Sequence, residues 1–426
     1  MRATTAACAL LVCSASGVAA QEPTPRDTVR VQADSTLAAD SAALAEELAR
    51  LAGEAQPQTQ AGPSNARLLP DISVVGDLFA DVSPERSTQE DGNRFAVREI
   101  ELALQAAVDP YFRGDVFLGI SDEEGIAIEQ AYLTTTSLPS SLELRVGRFL
   151  MPFGKQNLTH RHDLHTTEYP RVLQQLFGPE GLKGTGLRLS RIFAPFGFYQ
   201  ELQLTAVELV DEAAEDLMPA ERASRDLDGL GYTARLRNYW DLSESSNVEL
   251  SASALTTRRP QPVDVGDACV VAGEDECLNA VNARQSVLGA DFTFRWRPLQ
   301  QGLYESFILQ AEIMKQFNEA DPELPAGLSG FEYAGPPRDV LGAYVFGRYQ
   351  LTRRGYVGGR FDWVQDQVAE DESLRALSGY LEFFPSEFSK LLAGYERVMP
   401  GSGADAINRL LLQATFALGP HKPHPF

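Results

Sequence analysis

Residues 285–298 read Gln-Ser-Val-Leu-Gly-Ala-Asp-Phe-Thr-Phe-Arg-Trp-Arg-Pro, and apolar and polar side chains alternate along this stretch. In an extended chain, one face would carry small or apolar residues, namely Leu288, Ala290, Phe292, Phe294 and Trp296. The opposite face would carry polar residues, namely Asp291, Thr293 and Arg295. Because successive side chains of a strand point to opposite faces, the stretch predicts a strand with one apolar and one polar face.

The same alternation recurs along most of the chain. It is found in sixteen segments: 71–82, 93–109, 111–121, 126–136, 141–150, 182–193, 197–209, 228–241, 247–258, 285–298, 303–317, 338–351, 355–365, 374–384, 388–397 and 407–418. Most of them reach the roughly 9–11 residues that a tilted strand needs to cross a bilayer. Strands of soluble proteins average about 5–6 residues, so the lengths favour a membrane barrel.

The connections between these segments alternate between short and long, and the longest is 151–181. Short turns at one end and long loops at the other are typical of membrane barrels. Aromatic residues such as Tyr111, Phe196 and Trp240 recur beside the short turns, as rings at a membrane interface do. We therefore predict an all-β fold, a 16-stranded antiparallel transmembrane β-barrel over residues 71–426. The even number of strands puts both ends of the barrel on the short-turn, periplasmic side.

The N-terminal part predicts export. Residues 1–20 have the charge, apolar run and small-residue cleavage site of a signal peptide, with cleavage expected after Ala20. Residues 21–34 are polar and expected to be mobile. Residues 35–53 predict a short periplasmic helix with heptad spacing, either a coiled coil or an isolated amphipathic helix, and residues 54–70 a linker. The barrel would then be inserted into the bacterial outer membrane by the barrel-assembly machinery and would contact outer-membrane lipid.

Composition excludes other classes. The formal net charge of -22 argues against a nucleic-acid partner, which requires a surplus of basic residues. After the signal peptide no apolar run is long enough for a membrane helix. A gated receptor with about 22 strands and a plug does not fit the short segment that precedes the barrel. Cys269 and Cys277 lie close together in an acidic stretch and are expected to form a loop disulfide in an oxidising compartment.

Several segments resemble the phosphate-selective porin O/P family of outer-membrane channels. The stretch Leu-Arg-Val-Gly-Arg-Phe-Leu-Met-Pro-Phe-Gly at 144–154 is similar to that family's Leu-Arg-x-Gly-x-Phe-x-x-Pro-Phe element. Arg98-Glu99, Ala131-Tyr132-Leu133 and the stretch 184–190 fall where the family has similar residues. At 155–157, Lys-Gln-Asn replaces the Glu that usually follows the element. The resemblance implies a sixteen-stranded homotrimeric channel.

The loop 151–181 is the third on the long-loop side, where porins of this shape narrow their pore. It carries most of the chain's histidines, and four interpretations remain open. The first is a pore constriction in which ionisable groups select solutes. The second is a metal site formed by His160, His162 and His165. The third is hydrolysis by Asp163 with His165, and the fourth is a solvated loop without a role.

Basic residues of the loop and of the polar strand faces are the predicted pore-lining set. These are Arg113, Arg145, His160, Arg161, His162, His165, Arg171, Lys183, Arg188, Arg235, Arg295 and Arg360. Carboxylates lie on similar faces, so the charges could equally pair across the lumen and stiffen the wall. Together these features predict a non-enzymatic channel, without a cofactor, for passive diffusion of small polar solutes or ions. A non-conducting barrel that anchors the envelope, or a zinc-related uptake barrel, is the alternative.

Overall fold

A computed structural model shows a closed barrel of sixteen antiparallel strands and describes residues 70–89, 92–121, 125–210, 227–262, 280–319, 339–366, 372–401 and 404–419. The strands are Asp71–Asp81 (β1), Phe95–Ala107 (β2), Phe112–Ser121 (β3), Gly125–Thr135 (β4), Leu142–Leu150 (β5), Lys183–Phe193 (β6), Tyr199–Val210 (β7), Gly231–Ser243 (β8), Ser246–Pro262 (β9), Ala280–Trp296 (β10), Phe307–Glu319 (β11), Val340–Gln350 (β12), Gly355–Gln365 (β13), Ser373–Ser386 (β14), Ser389–Met399 (β15) and Ile407–Leu418 (β16). The predictions for residues 1–69, and the pair Cys269 and Cys277, lie outside the described residues.

Every strand pairs with its neighbours in sequence, and β1 pairs with β16 to close the sheet. At this seam Val74 lies opposite Leu418, and Asp81 lies opposite Leu411. Closure removes the free edges that an open sheet would expose. The predicted sixteen-stranded antiparallel barrel is therefore confirmed.

The two faces of the strands follow the alternation in the sequence. On β10 the side chain of Leu288 is exposed on the outside, whereas Asp291 and Thr293 are buried on the inside. Exposed rings such as Tyr111, Phe196 and Phe388 lie at the short-turn end. The outer surface is thus apolar with aromatic residues at one end, and the polar face lines the lumen.

Connections at one end are mostly short, and those at the other end are mostly long; the exceptions are 297–306 at the short-turn end and 122–124 at the long-loop end. The long connection between β5 and β6 contains two 3₁₀ turns, Gln156–Leu158 and Arg161–Asp163, and one short helix, Arg171–Phe177 (α1). In the part of the chain that the structure describes, no helix is both long and apolar enough to span a membrane. Residues 151–182, called the lumen loop below, carry the candidate site.

Candidate functional site

The lumen loop is closed at its base by one buried asparagine. The Asn157 side-chain amide donates to the carbonyl oxygens of Met151 and Leu182 at 2.8 and 3.1 Å, and its Oδ1 accepts from the Leu182 N–H at 2.6 Å. These bonds join the first and last residues of the loop. A buried amide that is fully used in this way fixes the loop base.

An apolar core holds the loop inside the barrel. Loop side chains that are almost fully buried pack on inward-facing apolar residues of the wall, and both groups belong to one cluster. Its loop members are Met151, Phe153, Leu164, Tyr169, Val172, Leu173, Leu176, Phe177 and Leu182, and its wall members on β7 to β13 include Val207, Leu255, Val287, Met314, Tyr344 and Val364. Burial of each large apolar side chain contributes roughly 1.5–3 kcal/mol. These contacts therefore pack the loop against the barrel wall in one defined position.

Close approach at β12 shows how tightly the loop fits. A Cβ atom built on Gly342 would lie 2.5 Å from the side chain of Val172 on α1. The rings of Phe153 and Phe177 meet edge-on with centroids 5.2 Å apart. Because no side chain fits between the wall and α1 at this point, the wall and the loop are complementary in shape.

Polar contacts tie the first part of the loop to β9 and β11. Lys155 Nζ lies 3.1 Å from Glu249 Oε1 on β9. The backbone N–H of Gln156 donates to Glu312 on β11 at 2.8 Å, and the Tyr344 hydroxyl donates to the same carboxylate at 2.7 Å. Burial lowers the pKa of Lys155, and the negative charge of Glu249 offsets part of this shift.

A charged cluster fastens the far part of the loop to β15 and β16. Glu168 and Arg409 form a two-pronged pair, with both N–O distances at 2.8 Å. Arg409 also contacts Glu396 at 2.7 Å, and Arg171 pairs with the same Glu396. Burial by itself raises the pKa of Glu168, but Arg409 and Arg171 outweigh it and hold this pKa far below its usual range. We call Glu168, Arg409, Glu396 and Arg171 the latch.

Two further wall cations hold backbone carbonyls of the loop. Lys390 Nζ donates to the carbonyl oxygens of His162 and Leu164 at 2.5 and 2.8 Å. Arg98 donates to the carbonyl of Thr167 at 2.8 Å while pairing with Asp77 on β1. The loop is thus bound to walls on several sides of the lumen.

The three loop histidines do not form a single cluster. His160 Nδ1 lies 2.7 Å from Glu101 Oε2 on β2, and His162 Nε2 lies 3.1 Å from Asp163. His165 instead contacts Glu382 on β14 at 3.3 Å. The structure therefore corrects the expected set of His160, His162 and His165. His160 and His162 converge on Glu101, with ligand atoms within 4.8 Å of one another, and His165 lies apart.

The surroundings give the histidines different pKa values. Burial lowers the pKa of His162, but Asp163, with Glu101 and Glu99, outweighs burial and raises it to about 9. Glu101 likewise raises the pKa of His160 against burial. Burial and Arg348 lower the pKa of His165, which Glu382 offsets in part.

Most predicted pore-lining cations have carboxylate partners. The pairs are Arg113–Asp115 at 2.8 Å, Arg188–Glu143 at 2.7 Å, Arg235–Asp291 at 3.5 Å, Arg295–Glu249 at 3.8 Å, Arg360–Asp362 at 2.7 Å, Arg171–Glu396 and Lys183–Glu180. Within the described ranges Arg145 and Arg161 make no ion pair, and the Arg145 guanidinium lies 3.8 Å over the Tyr132 ring. Most of these pairs join residues of the same strand or of nearby strands, so they run along the wall and do not cross the lumen.

Exposure separates cations that face water from those that do not. The side chains of Arg113, Arg237 and Arg295 are 37, 30 and 25% exposed. Arg360 and Arg235 are 2 and 3% exposed. The exposed cations belong to β3, β8 and β10, at the short-turn end, so water reaches this part of the wall.

Sequence reasoning missed the wall residues that hold the loop. Lys390, Glu396 and Arg409 were not among the predicted site residues, although each lies on the inward face of its strand. The alternation in the sequence puts Glu101 on the polar face of β2, but it does not identify His160 as its partner. The alternation identifies these residues as lumen-facing, but it does not show which of them the loop reaches.

Comparisons with known proteins agree with the fold. No family model matches the chain. An uncharacterized protein of Aquifex aeolicus is 26% identical over 358 residues, which cover 78% of this chain and 70% of that protein. Among solved structures, the outer membrane protein OmpT of Vibrio cholerae in its trimer form has a TM-score of 0.51 at 11% identity, covering 82% of this chain and 99% of that one.

Two further structures have the same architecture. An anion-selective porin from Comamonas acidovorans has a TM-score of 0.51 at 10% identity, covering 82% of this chain and 98% of that one. The outer membrane channel DcaP of Acinetobacter baumannii has a TM-score of 0.50 at 12% identity, covering 83% and 99%. The chain therefore shares the barrel fold of these proteins.

Proposed function

We propose that this chain forms a channel in the bacterial outer membrane for passive diffusion of small polar or charged solutes, with the lumen loop as its constriction. One observation carries the proposal: a loop that begins at β5 and ends at β6 is folded inside the barrel and fastened to β9, β11, β15 and β16. In this proposal the loop narrows the lumen, and solutes pass beside it.

The outer surface suits a bilayer. Side chains such as Leu288, Leu377 and Leu381 are more than half exposed on the outer face, which would be costly in water over so large an area. A closed barrel satisfies its backbone hydrogen bonds internally, as a spanning structure must. The exposed rings at the short-turn end match the aromatic girdle of membrane barrels. Export through a signal peptide cleaved after Ala20 belongs to this proposal.

We infer a preference for small anions that rests mainly on Arg145, because the exposed Arg113, Arg237 and Arg295 each pair with a carboxylate of the wall. Arg113, Arg237 and Arg295 reach water, and Arg145 adds a cation without a carboxylate partner among the described residues. Fixed charges that line a constriction set the preference for the sign of the solute. Membership of the porin O/P family, the homotrimer and a phosphate preference remain hypotheses that the resemblance raised.

The anchoring alternative also has a specific observation in its favour. The apolar core of the lumen loop, together with buried pairs such as Arg360–Asp362, fills part of the lumen. If this filling were complete, the barrel would not conduct. We favour the channel because wall cations at the short-turn end remain exposed to water.

Single-channel recording of the refolded protein in a planar bilayer tests the proposal. We expect discrete conductance steps, and a reversal potential in a salt gradient that has the sign of anion preference. Arg145→Gln should shift the reversal potential toward cations. The matched variant Arg191→Gln, which removes the same charge from an exposed position, should not. A folded barrel without conductance steps would support the anchoring alternative instead.

A further inference from the structure

Two loop histidines and one wall carboxylate meet where the lumen loop passes β2. A ring nitrogen of His160, a ring nitrogen of His162 and a carboxylate oxygen of Glu101 lie within 4.8 Å of one another. The two imidazole rings are 5.5 Å apart between centroids. We propose that His160, His162 and Glu101 bind a divalent transition-metal ion of the zinc class, which would join the loop to the barrel wall.

The residue types and their burial fit such an ion. Two imidazoles and one carboxylate are the protein ligands of an open zinc site, in which water takes the fourth position. The side chains of Glu101 and His162 are 4 and 3% exposed, and that of His160 is 20% exposed. The site is thus enclosed on the wall side and reachable from the lumen. Glu101 Oε2 is buried, and His160 Nδ1 contacts it at 2.7 Å.

The electrostatic surroundings also favour a cation. Glu99 precedes Glu101 on the inward face of β2, and Asp163 lies 3.1 Å from His162. Two cations of the neighbouring wall are engaged by other groups, since Arg98 pairs with Asp77 and Lys390 binds loop carbonyls. A divalent ion would take the place of the protons that these carboxylates favour on His160 and His162.

Only a small adjustment is needed for coordination. Ligands about 2.1 Å from a tetrahedral zinc ion lie about 3.4 Å from each other. The 2.7 Å contact between His160 and Glu101 would therefore open slightly, and the wider separations would close. His160 and His162 flank Arg161 at one 3₁₀ turn, so a small movement of this turn carries both rings. Gln130 on β4 contacts His160 Nε2 at 2.7 Å and is a positioning residue for that ring.

The chain offers a matched control on β14, four strands away from β2 around the barrel. His165 and Glu382 form a similar contact at 3.3 Å, but no second imidazole joins them. Arg348 occupies the Glu382 carboxylate. This pair therefore has the same residue types as the proposed site without its ligand number or its negative surroundings.

Zinc binding to the refolded full chain in detergent tests the proposal. His421→Ala and His424→Ala are introduced first, because they leave only the three loop histidines out of the five in the sequence. Calorimetric titration with zinc should then show one ion per chain. Cobalt(II) should give the intense visible absorption of four-coordinate geometry.

Variants separate the proposed site from general binding. Glu101→Gln and His162→Ala should weaken zinc at least tenfold, and Gln130→Leu, which keeps every ligand, should weaken it roughly 10–100-fold. His165→Ala should leave the affinity unchanged. The shift in gel mobility between unheated and heated samples identifies folded barrels, and the Gln130 and Glu101 variants carry the test if His162→Ala does not fold.

Two results would overturn the proposal: a wild-type loop that binds no zinc, or a loss in His165→Ala as large as that in Glu101→Gln. The measurement is made in detergent and does not depend on conductance. The channel proposal can therefore fail while the metal site stands, and the reverse also holds.

Discussion

Replacing Glu168 with Gln should release the far part of the lumen loop. Glu168 and Arg409 are 12 and 7% exposed and are joined by two bonds of 2.8 Å. Removing one partner of a buried pair costs about 3–5 kcal/mol. Arg409 keeps its contact with Glu396, so we expect the lower end, about 3 kcal/mol.

This free energy converts into a measurable opening of the loop. A cost of about 3 kcal/mol raises the population of the detached loop roughly 100-fold, since each 1.4 kcal/mol is a factor of ten. Hydrogen–deuterium exchange reports this population through buried loop amides. The N–H of Arg171, which donates to Asp362 at 2.9 Å, is the most informative amide. Its exchange should accelerate by that factor, and single-channel current should become noisier.

A matched variant controls for the loss of an exposed ion pair, and a double variant tests whether Glu168 and Arg409 act together. Arg113→Gln breaks a pair whose arginine is 37% exposed and which lies away from the loop, so its effect should stay below about 1 kcal/mol. Combining Glu168→Gln with Arg409→Gln should give less than the sum of the two single effects, because the two side chains interact. Additive effects, or exchange at Arg171 unchanged in Glu168→Gln, would refute the latch.

Three further outcomes are expected. Because the folded pKa of Glu168 is depressed, its stabilisation of the latch is complete above its ordinary pKa of 4.5 and is lost as the pH falls below that value. Loop exchange should therefore rise between pH 5 and about 3, and Glu168→Gln should reduce this dependence. Phe153→Ala should weaken the loop core by about 3–5 kcal/mol, which loop exchange again measures; a change confined to the barrel strands would contradict it. Gly147→Ala should prevent assembly, because Gly147 has φ of +135° and a Cβ atom at this position would lie 2.1 Å from the carbonyl oxygen of Ala131. The control Gly379→Ala should give a normal folded band on gels, because a Cβ atom at position 379 has no neighbour within 4 Å.

Strand positions could be read from the sequence because the barrel has two chemically different sides. On β10 the prediction of 285–298 and the observed strand 280–296 share their central residues, since Phe292 must face outward and Asp291 inward. Each strand carries this information by itself. The ends of strands and the bulge near Asp77 depend on neighbouring strands, and no local period encodes them.

The contacts of the site were harder to predict from the sequence, because they join residues that are far apart along the chain. Glu168 and Arg409 are 241 residues apart, and they meet only because the barrel closes. The three histidines are close in sequence, but the irregular backbone between them runs from one wall to another, so His165 reaches Glu382. The apolar residues of the loop, such as Phe153 and Leu173, were a signal that could have been used. An exposed loop has no reason to carry so many of them.

The seam between β1 and β16 sets an order of events during assembly. Gln413 Nε2 donates to Asp77, and 336 positions separate the two residues in sequence. Forming this contact closes nearly the longest loop of chain that the barrel permits. Contacts between residues so far apart in sequence form late, because closing the loop costs entropy before strand pairing contributes stabilising free energy. Arg409 arrives with the last strand. We therefore expect the latch to form only when the cylinder is complete, after a stage in which the walls are built while the lumen loop is still free.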